Sequence, residues 1–170
     1  MALSAYERAL RLLGQRQHFR GDLRRKLLAK GYETEEVDEA LARCASEGYL
    51  DDESTARAFV AERQNRRGLG RARVAAELRR HGASSEAVGA ALAEVSDDDE
   101  RARAATAAAR WRRLHRGDAS AADPLARRER DAALGRHLAS KGFSRSVIVA
   151  VLKAGGGEEA AAELEADGGD

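Results

Sequence analysis

The chain has 170 residues, of which 35% are charged and 4% aromatic, and its formal net charge is +1 at pH 7. So few aromatic side chains exclude a large aromatic core, and a single cysteine excludes an intramolecular disulfide. Much of the hydrophobic fraction is alanine, a strong helix former, whereas proline occurs once and runs of β-branched residues are nearly absent. The sequence therefore predicts an all-α protein.

The first 50 residues contain the pattern of three helices. Ser4 and Glu7 have the spacing of a capping box at the start of the first helix. The second and third helices lie on either side of Gly31 in "DLRRKLLAKGYETEEVDEALARC", where a helix end favours a left-handed residue. The third helix has apolar residues at i, i+3, i+4 and i+7, namely Val37, Ala40, Leu41 and Cys44.

The same pattern returns twice, around Gly82 in "RVAAELRRHGASSEAVGAALAEV" and around Gly142 in "ALGRHLASKGFSRSVIVAVLKAG". Apolar residues recur eight and four positions before each glycine, and six and ten positions after it. Asp51 or Asp52 caps the helix that opens the second copy, and Ser84 and Ser144 stand where later helices need an N-cap. We predict three tandem three-helix repeats, at 1–50, 51–96 and 97–155, that form an elongated, curved helical array.

Two segments fall outside the repeat pattern. The glycines are 51 and then 60 residues apart, and we assign the excess to a loop at 117–126 in the third repeat. Residues 156–170 are acidic and interrupted by glycines, so we predict a flexible tail.

The stretch "NRRGLGRARVAAELRRHG", residues 65–82, contains a Gly-x-Gly flanked by arginines. Such a motif at a helix start can bind phosphate through free N–H groups. Here no strand precedes Gly68 and Gly70, no Lys-Ser/Thr follows them, and the third glycine of a dinucleotide fingerprint is absent. We therefore interpret the two glycines as a flexible joint, or hinge, between the first and second helices of the second repeat.

No residue pattern indicates catalysis, a metal or a cofactor. Cys44 takes the position that Val95 takes in the next repeat, which predicts core packing rather than a nucleophile. The four histidines form no i, i+4 pair with one another. Asp51 and Asp52 stand at a helix start, where capping explains them better than acid–base chemistry.

Basic residues are concentrated on the first and second helices of each repeat. A helix-turn-helix that reads an operator would carry its basic side chains on the third helix, but the third helix of the first repeat begins "ETEEVDE" and that of the second, "SSEAVGAALAE", has no basic residue. An extended basic surface that meets an acidic polymer, or an assembly carrying one, fits better. Our hypothesis is that much of the contact surface consists of Arg24, Arg25, Lys26, Arg66, Arg67, Arg71, Arg73, Arg79, Arg80, Arg112 and Arg113.

Residues 47–82, "EGYLDDESTARAFVAERQNRRGLGRARVAAELRRHG", resemble the central motif of the RecX family of regulators of the RecA recombinase. The matching elements are "GYLDD", the pair Phe59–Val60, Arg63, the Gly-x-Gly, and "EL" followed by Gly82. The resemblance extends over about residues 4–153. It departs from the family where "AR" at 56–57 replaces a common Phe-Ala pair and where Arg71 replaces a frequent proline.

The resemblance implies a regulatory, non-enzymatic protein that binds in the helical groove of the RecA filament on single-stranded DNA and contacts more than one protomer. It implies inhibition of RecA ATP hydrolysis, strand exchange and co-protease activity, and hence a role in recombination, DNA repair and the SOS response. The expected partners are the RecA filament and the single-stranded DNA inside it, with free DNA bound weakly at most. We expect a cytoplasmic monomer with no membrane partner, because the N-terminus lacks a signal peptide and no apolar run reaches the length of a membrane span.

Two alternatives remain open at this point. The chain is then either a non-specific DNA-binding or architectural helical protein acting without RecA, or a purely structural helical adaptor. Phosphate contacts alone would give an affinity that falls steeply with salt, whereas the adaptor would bind neither DNA nor filament.

Overall fold

The computed structural model describes residues 3–115 and 123–166, apart from the side chain of Arg66. These residues form ten α-helices and no strand, which confirms the all-α prediction. The helices are α1 (Ala5–Leu13), α2 (Arg20–Leu28), α3 (Thr34–Ser46), α4 (Asp52–Arg67), α5 (Arg71–Arg80), α6 (Ser85–Ala93), α7 (Asp97–Leu114), α8 (Pro124–Ser140), α9 (Arg145–Ala154) and α10 (Glu158–Ala166).

The predicted helix starts are confirmed by their hydrogen bonds. Ser4 and Glu7 form a capping box at α1, in which each side chain accepts from the other residue's backbone N–H. Of the two candidates at α4, Asp51 is the cap, because its carboxylate accepts from the Ser54 N–H at 3.0 Å. Ser84 and Ser144 cap α6 and α9 in the same way.

The chain divides into two compact units, each of which is built from two separate segments of the sequence. The first unit comprises Met1–Ala61 and Ala75–Glu94, and the second comprises Glu62–Val74 and Val95–Asp170. The first has a core of leucines from α2 and α3 with Val37 and Cys44, and the second has a core from α7, α8, α9 and α10. Helices α4 and α5 each contribute residues to both units, so the predicted boundaries of three separate repeats stay a prediction.

Within the first unit, the first turn of α2 lies directly on the turn between α5 and α6. The Gly21 N–H donates to the carbonyl oxygen of Gly82 at 3.2 Å, and the preceding Arg20 N–H donates to the Asp52 carboxylate at 2.8 Å. Both donors are first-turn N–H groups that have no partner inside their own helix. A Cβ added at Gly21 would lie 2.6 Å from the Gly82 carbonyl oxygen, so the two backbones meet with no room for a side chain.

The second unit contains the equivalent contact, with α5 on the turn between α8 and α9. Here the Ala72 N–H donates to the carbonyl oxygen of Gly142 at 3.2 Å, and the Arg71 N–H donates to the Glu100 carboxylate at 3.0 Å. Ala72 stands as far before Gly82 as Gly21 stands before Gly31. We call this arrangement, with its two N–H donors, one glycine carbonyl and one carboxylate, the glycine joint.

The glycine joint corrects the interpretation of Gly70 as part of a flexible joint. The Gly70 N–H donates to the Lys141 carbonyl oxygen at 2.9 Å, and a Cβ at Gly70 would overlap the carbonyl group of Gly142. Gly68 does link α4 to α5 with a positive φ of 58°. Gly70, however, is needed for close backbone packing, which the local sequence did not reveal.

Two boundary predictions in the last third of the chain are also corrected. Residues 124–126 of the predicted loop form the first turn of α8, because the Asp123 side chain accepts from the Leu125 N–H and Pro124 opens the helix. Residues 117–122 lie outside the described part of the chain. The predicted flexible tail is helical over Glu158–Ala166, where Ala160 and Ala161 are buried in the core of the second unit.

Gly82→Ala is expected to destabilise the protein much more than Gly31→Ala. Both glycines have φ near 90°, so an alanine at either position incurs the left-handed penalty of about 1–2 kcal/mol. Only at Gly82 does the new Cβ also meet backbone, 2.6 Å from the Asp22 nitrogen, whereas at Gly31 it meets nothing within 4 Å. Urea unfolding of the two variants tests this prediction, and equal losses would contradict the glycine joint.

Ala161→Glu is expected to lower the free energy of unfolding by at least about 2 kcal/mol, because it places a larger charged side chain into a filled core. Ala162→Glu is the matched control, since Ala162 is exposed on the same helix. Thermal unfolding of both variants distinguishes a packed α10 from a flexible tail, for which the two substitutions would have the same small effect.

Candidate protein and nucleic-acid interface

The three basic residues of α2 lie among carboxylates of the first unit. Arg24 forms a bidentate ion pair with Asp38, in which its Nε and Nη2 lie 2.7 and 3.1 Å from the two carboxylate oxygens. Lys26 and Arg25 lie 2.8 and 3.3 Å from opposite oxygens of Asp22. These side chains are exposed or half-buried, so the ion pairs orient them but leave their charge accessible to a partner.

Asp22 also accepts a hydrogen bond from the buried His18, whose Nδ1 lies 2.7 Å from its carboxylate. Burial by itself raises the pKa of Asp22, but the hydrogen bonds from Lys26 and His18 outweigh burial and lower the pKa to about 2. Asp22 therefore stays ionised at neutral pH, and its negative charge attracts the side chains of Arg25 and Lys26.

Arg71 has a structural role in the second unit. Its guanidinium lies 2.6 Å from Asp97 and 3.2 Å from Glu100, and it also donates to the Val95 carbonyl oxygen. Because Glu100 is 2% exposed, this ion pair is partly desolvated and ties α5 to the start of α7. Arg71 thus completes the glycine joint of the second unit.

Four of the predicted contact residues are exposed and have no ion pair with any residue that the structure describes: Arg67, Arg79, Arg80 and Arg113. Arg79 and Arg80 occupy the last turn of α5, immediately before the turn on which α2 rests. The Gly82 carbonyl oxygen, which accepts from the first turn of α2, lies two residues after Arg80, so these arginines and α2 belong to the same unit. Of the eleven candidates, this unit contains Arg24, Arg25, Lys26, Arg79 and Arg80.

The second unit contains the other candidates, which differ in exposure. Arg73 is exposed, whereas Arg112 is half-buried with its guanidinium against Gly155 at the end of α9. The side chain of Arg66 lies outside the described part of the structure. A single contact surface made of all eleven residues stays a prediction.

Sequence reasoning missed a cavity of about 740 Å³ in the second unit, formed by the end of α4 with α7 and α8. Trp111 lines it and stacks on His115, with ring centres 4.2 Å apart and planes 14° apart. His137 lines it as well. The pKa of this imidazole is lowered, mainly because the ring is partly buried and also because the positive charge of Lys141 is nearby. The available signal was the spacing of four residues between Arg103, Ala107 and Trp111, which places these three on one face of α7, with His115 four residues further on at the helix end.

Cys44 is fully buried in the first unit, as predicted, and burial raises the pKa of its thiol. Among residues 3–115 and 123–166, no group of three or more His, Cys, Asp or Glu side chains is placed to hold a metal ion. No helix within these ranges combines the length and the apolar character needed to cross a membrane.

Comparison with known families decides the identity of the chain. The RecX first three-helix domain matches residues 5–44, and the RecX second three-helix domain matches residues 51–92. The chain belongs to the RecX family. These two matches cover the segments that contain α1–α3 and α4–α6, respectively.

Curated members of the RecX family are similar to part of the chain. The regulatory protein RecX of Xanthomonas oryzae pv. oryzae (strain MAFF 311018) is 45% identical over 64 residues, which is 38% of each protein. That of Pelodictyon phaeoclathratiforme (strain DSM 5477 / BU-1) is 38% identical over 63 residues, or 37% of this chain and 39% of the relative. The matched segment thus spans less than half the length of these relatives.

Two solved structures of RecX proteins share the fold. RecX from Lactobacillus salivarius superposes with a TM-score of 0.77 at 19% identity, over 88% of this chain and 92% of that one. A second regulatory protein RecX has a TM-score of 0.75 at 23% identity, over 88% and 70% of the two chains. Because both identities are below 25%, these two structures show that the chain shares their fold and nothing more.

Asp22→Asn is expected to lower the free energy of unfolding relative to the parent chain at neutral pH but to have little effect at pH 2. The folded-state pKa of Asp22, about 2, lies below the ordinary aspartate value of 3.8, so its ionised form favours the folded state above pH 4. That contribution falls as the pH drops from about 4 to 2 and the carboxylate gains a proton. Unfolding curves of parent and variant at pH 6, 4 and 2 test this prediction, and a constant difference at all three values would contradict it.

Proposed function

We propose that this chain regulates the RecA recombinase by binding in the helical groove of the filament that RecA forms on single-stranded DNA. Its effect is to lower RecA ATP hydrolysis, strand exchange and co-protease activity, and so to limit recombination, DNA repair and the SOS response. The observation that carries this proposal is membership of the RecX family through both of its three-helix domains.

The charge distribution supports a filament partner in two ways. Arg79 and Arg80 are exposed in the last turn of α5, in the same unit as the basic helix α2, and neither has an ion pair with a residue that the structure describes. In the second unit Arg67 and Arg113 are also exposed and have no ion pair with a described residue, and a filament offers repeated complementary sites to such cations. Electrostatic attraction of this kind raises the rate of association and makes it depend on salt.

The double variant Arg79→Gln, Arg80→Gln is expected to need at least about tenfold more protein for half-maximal inhibition of RecA ATP hydrolysis on single-stranded DNA. This tenfold change corresponds to a loss of about 1.4 kcal/mol of binding free energy, which is expected if both arginines contact the filament. The measurement titrates the chain into RecA below one copy per protomer at physiological salt.

The matched control is Arg130→Gln, Arg136→Gln, which removes the same charge from two exposed positions of α8 outside the proposed surface. Equal inhibition by both double variants would contradict the role assigned to Arg79 and Arg80. Inhibition that begins only when the DNA is coated would favour the DNA-binding alternative, and no inhibition at any ratio would favour a structural adaptor.

A further inference from the structure

The cavity of the second unit is strongly asymmetric in charge. Its lining includes Arg67, Arg103, Arg110 and Lys141, but Asp99 is the one acidic residue among the residues that line it. The Asp99 carboxylate also accepts from the Ser96 hydroxyl at 2.7 Å, at the N-terminus of α7. The cavity therefore attracts an anion, and its volume of about 740 Å³ is within the range of sites that hold small organic ligands.

Buried hydrogen-bond donors in this lining have no partner within the described ranges 3–115 and 123–166. Gln64 is 7% exposed, and its side-chain amide nitrogen makes no hydrogen bond. The same is true of Nε and Nη2 of Arg103, which are also buried. Leaving such donors unsatisfied is costly, so buried donors of this kind usually have a partner from outside the chain, such as an ordered water or a ligand.

The aromatic side chains supply a third feature. The parallel stack of Trp111 on His115 gives the cavity a flat π surface, and the His137 ring centre lies 6.3 Å from that of Trp111. Flat aromatic faces beside guanidinium groups bind unstacked nucleic-acid bases, while the cations neutralise the adjoining phosphates. A peptide of acidic residues alone, such as polyglutamate, would satisfy the cations but has no aromatic ring to stack on Trp111.

We propose that this cavity binds one nucleotide of a single-stranded nucleic acid, with the base against the Trp111–His115 stack and the phosphate beside Arg67 and Arg110. On binding, the Gln64 amide and the Arg103 guanidinium rotate so that their free donors meet acceptor atoms of the base or the backbone. This inference extends the proposed function by giving the second unit its own nucleic-acid site. It is tested without RecA, so its failure leaves the regulatory proposal standing.

Trp111 is the sole tryptophan of the chain, so intrinsic fluorescence reports directly on this cavity. We expect a short oligothymidylate to quench Trp111 emission at low salt. An abasic oligonucleotide of the same length is expected to bind about fivefold to a hundredfold more weakly, because it lacks the base that stacks. The full chain is titrated with each oligonucleotide, with thymidine monophosphate and with polyglutamate.

Arg110→Gln is expected to weaken oligothymidylate binding and to reduce the log–log salt slope by about 0.7, the contribution of one phosphate contact on a single strand. Arg110 is exposed at the cavity, so the variant is expected to fold. Arg136→Gln is the matched control, because it removes the same charge from an exposed position of α8 that does not line the cavity.

Gln64→Leu separates a ligand-binding role from a structural one. Leucine has a similar volume and no polar atoms, so it is expected to maintain or raise the melting temperature while it weakens oligothymidylate binding. A fall in melting temperature with unchanged binding would mean that the amide serves the fold, and would overturn its assignment to the ligand.

Three other outcomes would overturn the proposal as a whole. Equal quenching by the abasic and the thymidine oligonucleotides would show that only charge is recognised. Quenching by thymidine monophosphate at the same concentration as the oligonucleotide would assign the cavity to a free nucleotide. Quenching by polyglutamate, or none by any probe, would exclude single-stranded nucleic acid as its ligand.

Discussion

The fold depends on close contacts between the first turn of one helix and a glycine turn of another part of the chain. The first turn of α2 rests on the turn at Gly82, and the first turn of α5 rests on the turn at Gly142. In both cases two helix-start N–H groups, which have no partner inside their own helix, are satisfied by a glycine carbonyl and a carboxylate. Because a Cβ would collide with backbone at these points, glycine is the residue that permits the contact.

The glycine joint explains why only part of the basic surface is free to bind a partner. In the second unit Arg71 is held by Asp97 and Glu100, and Glu100 also accepts from the Arg71 N–H, so this arginine contributes to folding. In the first unit the Asp52 carboxylate accepts from the Arg20 N–H and so takes the place that Glu100 has in the second unit. Burial raises the pKa of Asp52. Arg79 and Arg80 belong to the same helix as Arg71 but lie at its exposed end, where no described carboxylate pairs with them.

The two units carry different kinds of candidate site, and each has a distinct physical basis. The first unit offers an exposed patch whose attraction to a partner is electrostatic and therefore weakened by salt. The second offers a cavity with unsatisfied buried donors and an aromatic stack, where recognition depends on shape and hydrogen bonding as well as charge. Both kinds of site fit the partner that we propose, a RecA filament on single-stranded DNA.

Helix caps, the three aligned glycines and the apolar stripes were readable from the sequence alone. They depend on interactions within a few residues, such as Ser4 with Glu7 or Asp51 with Ser54, so local spacing determines them. Family membership was likewise readable in residues 47–82, within a motif of near neighbours. The close packing of Gly70, the core position of Ala161 and the cavity at Trp111 were decided by the tertiary structure, because each depends on residues distant along the chain that only folding brings into contact.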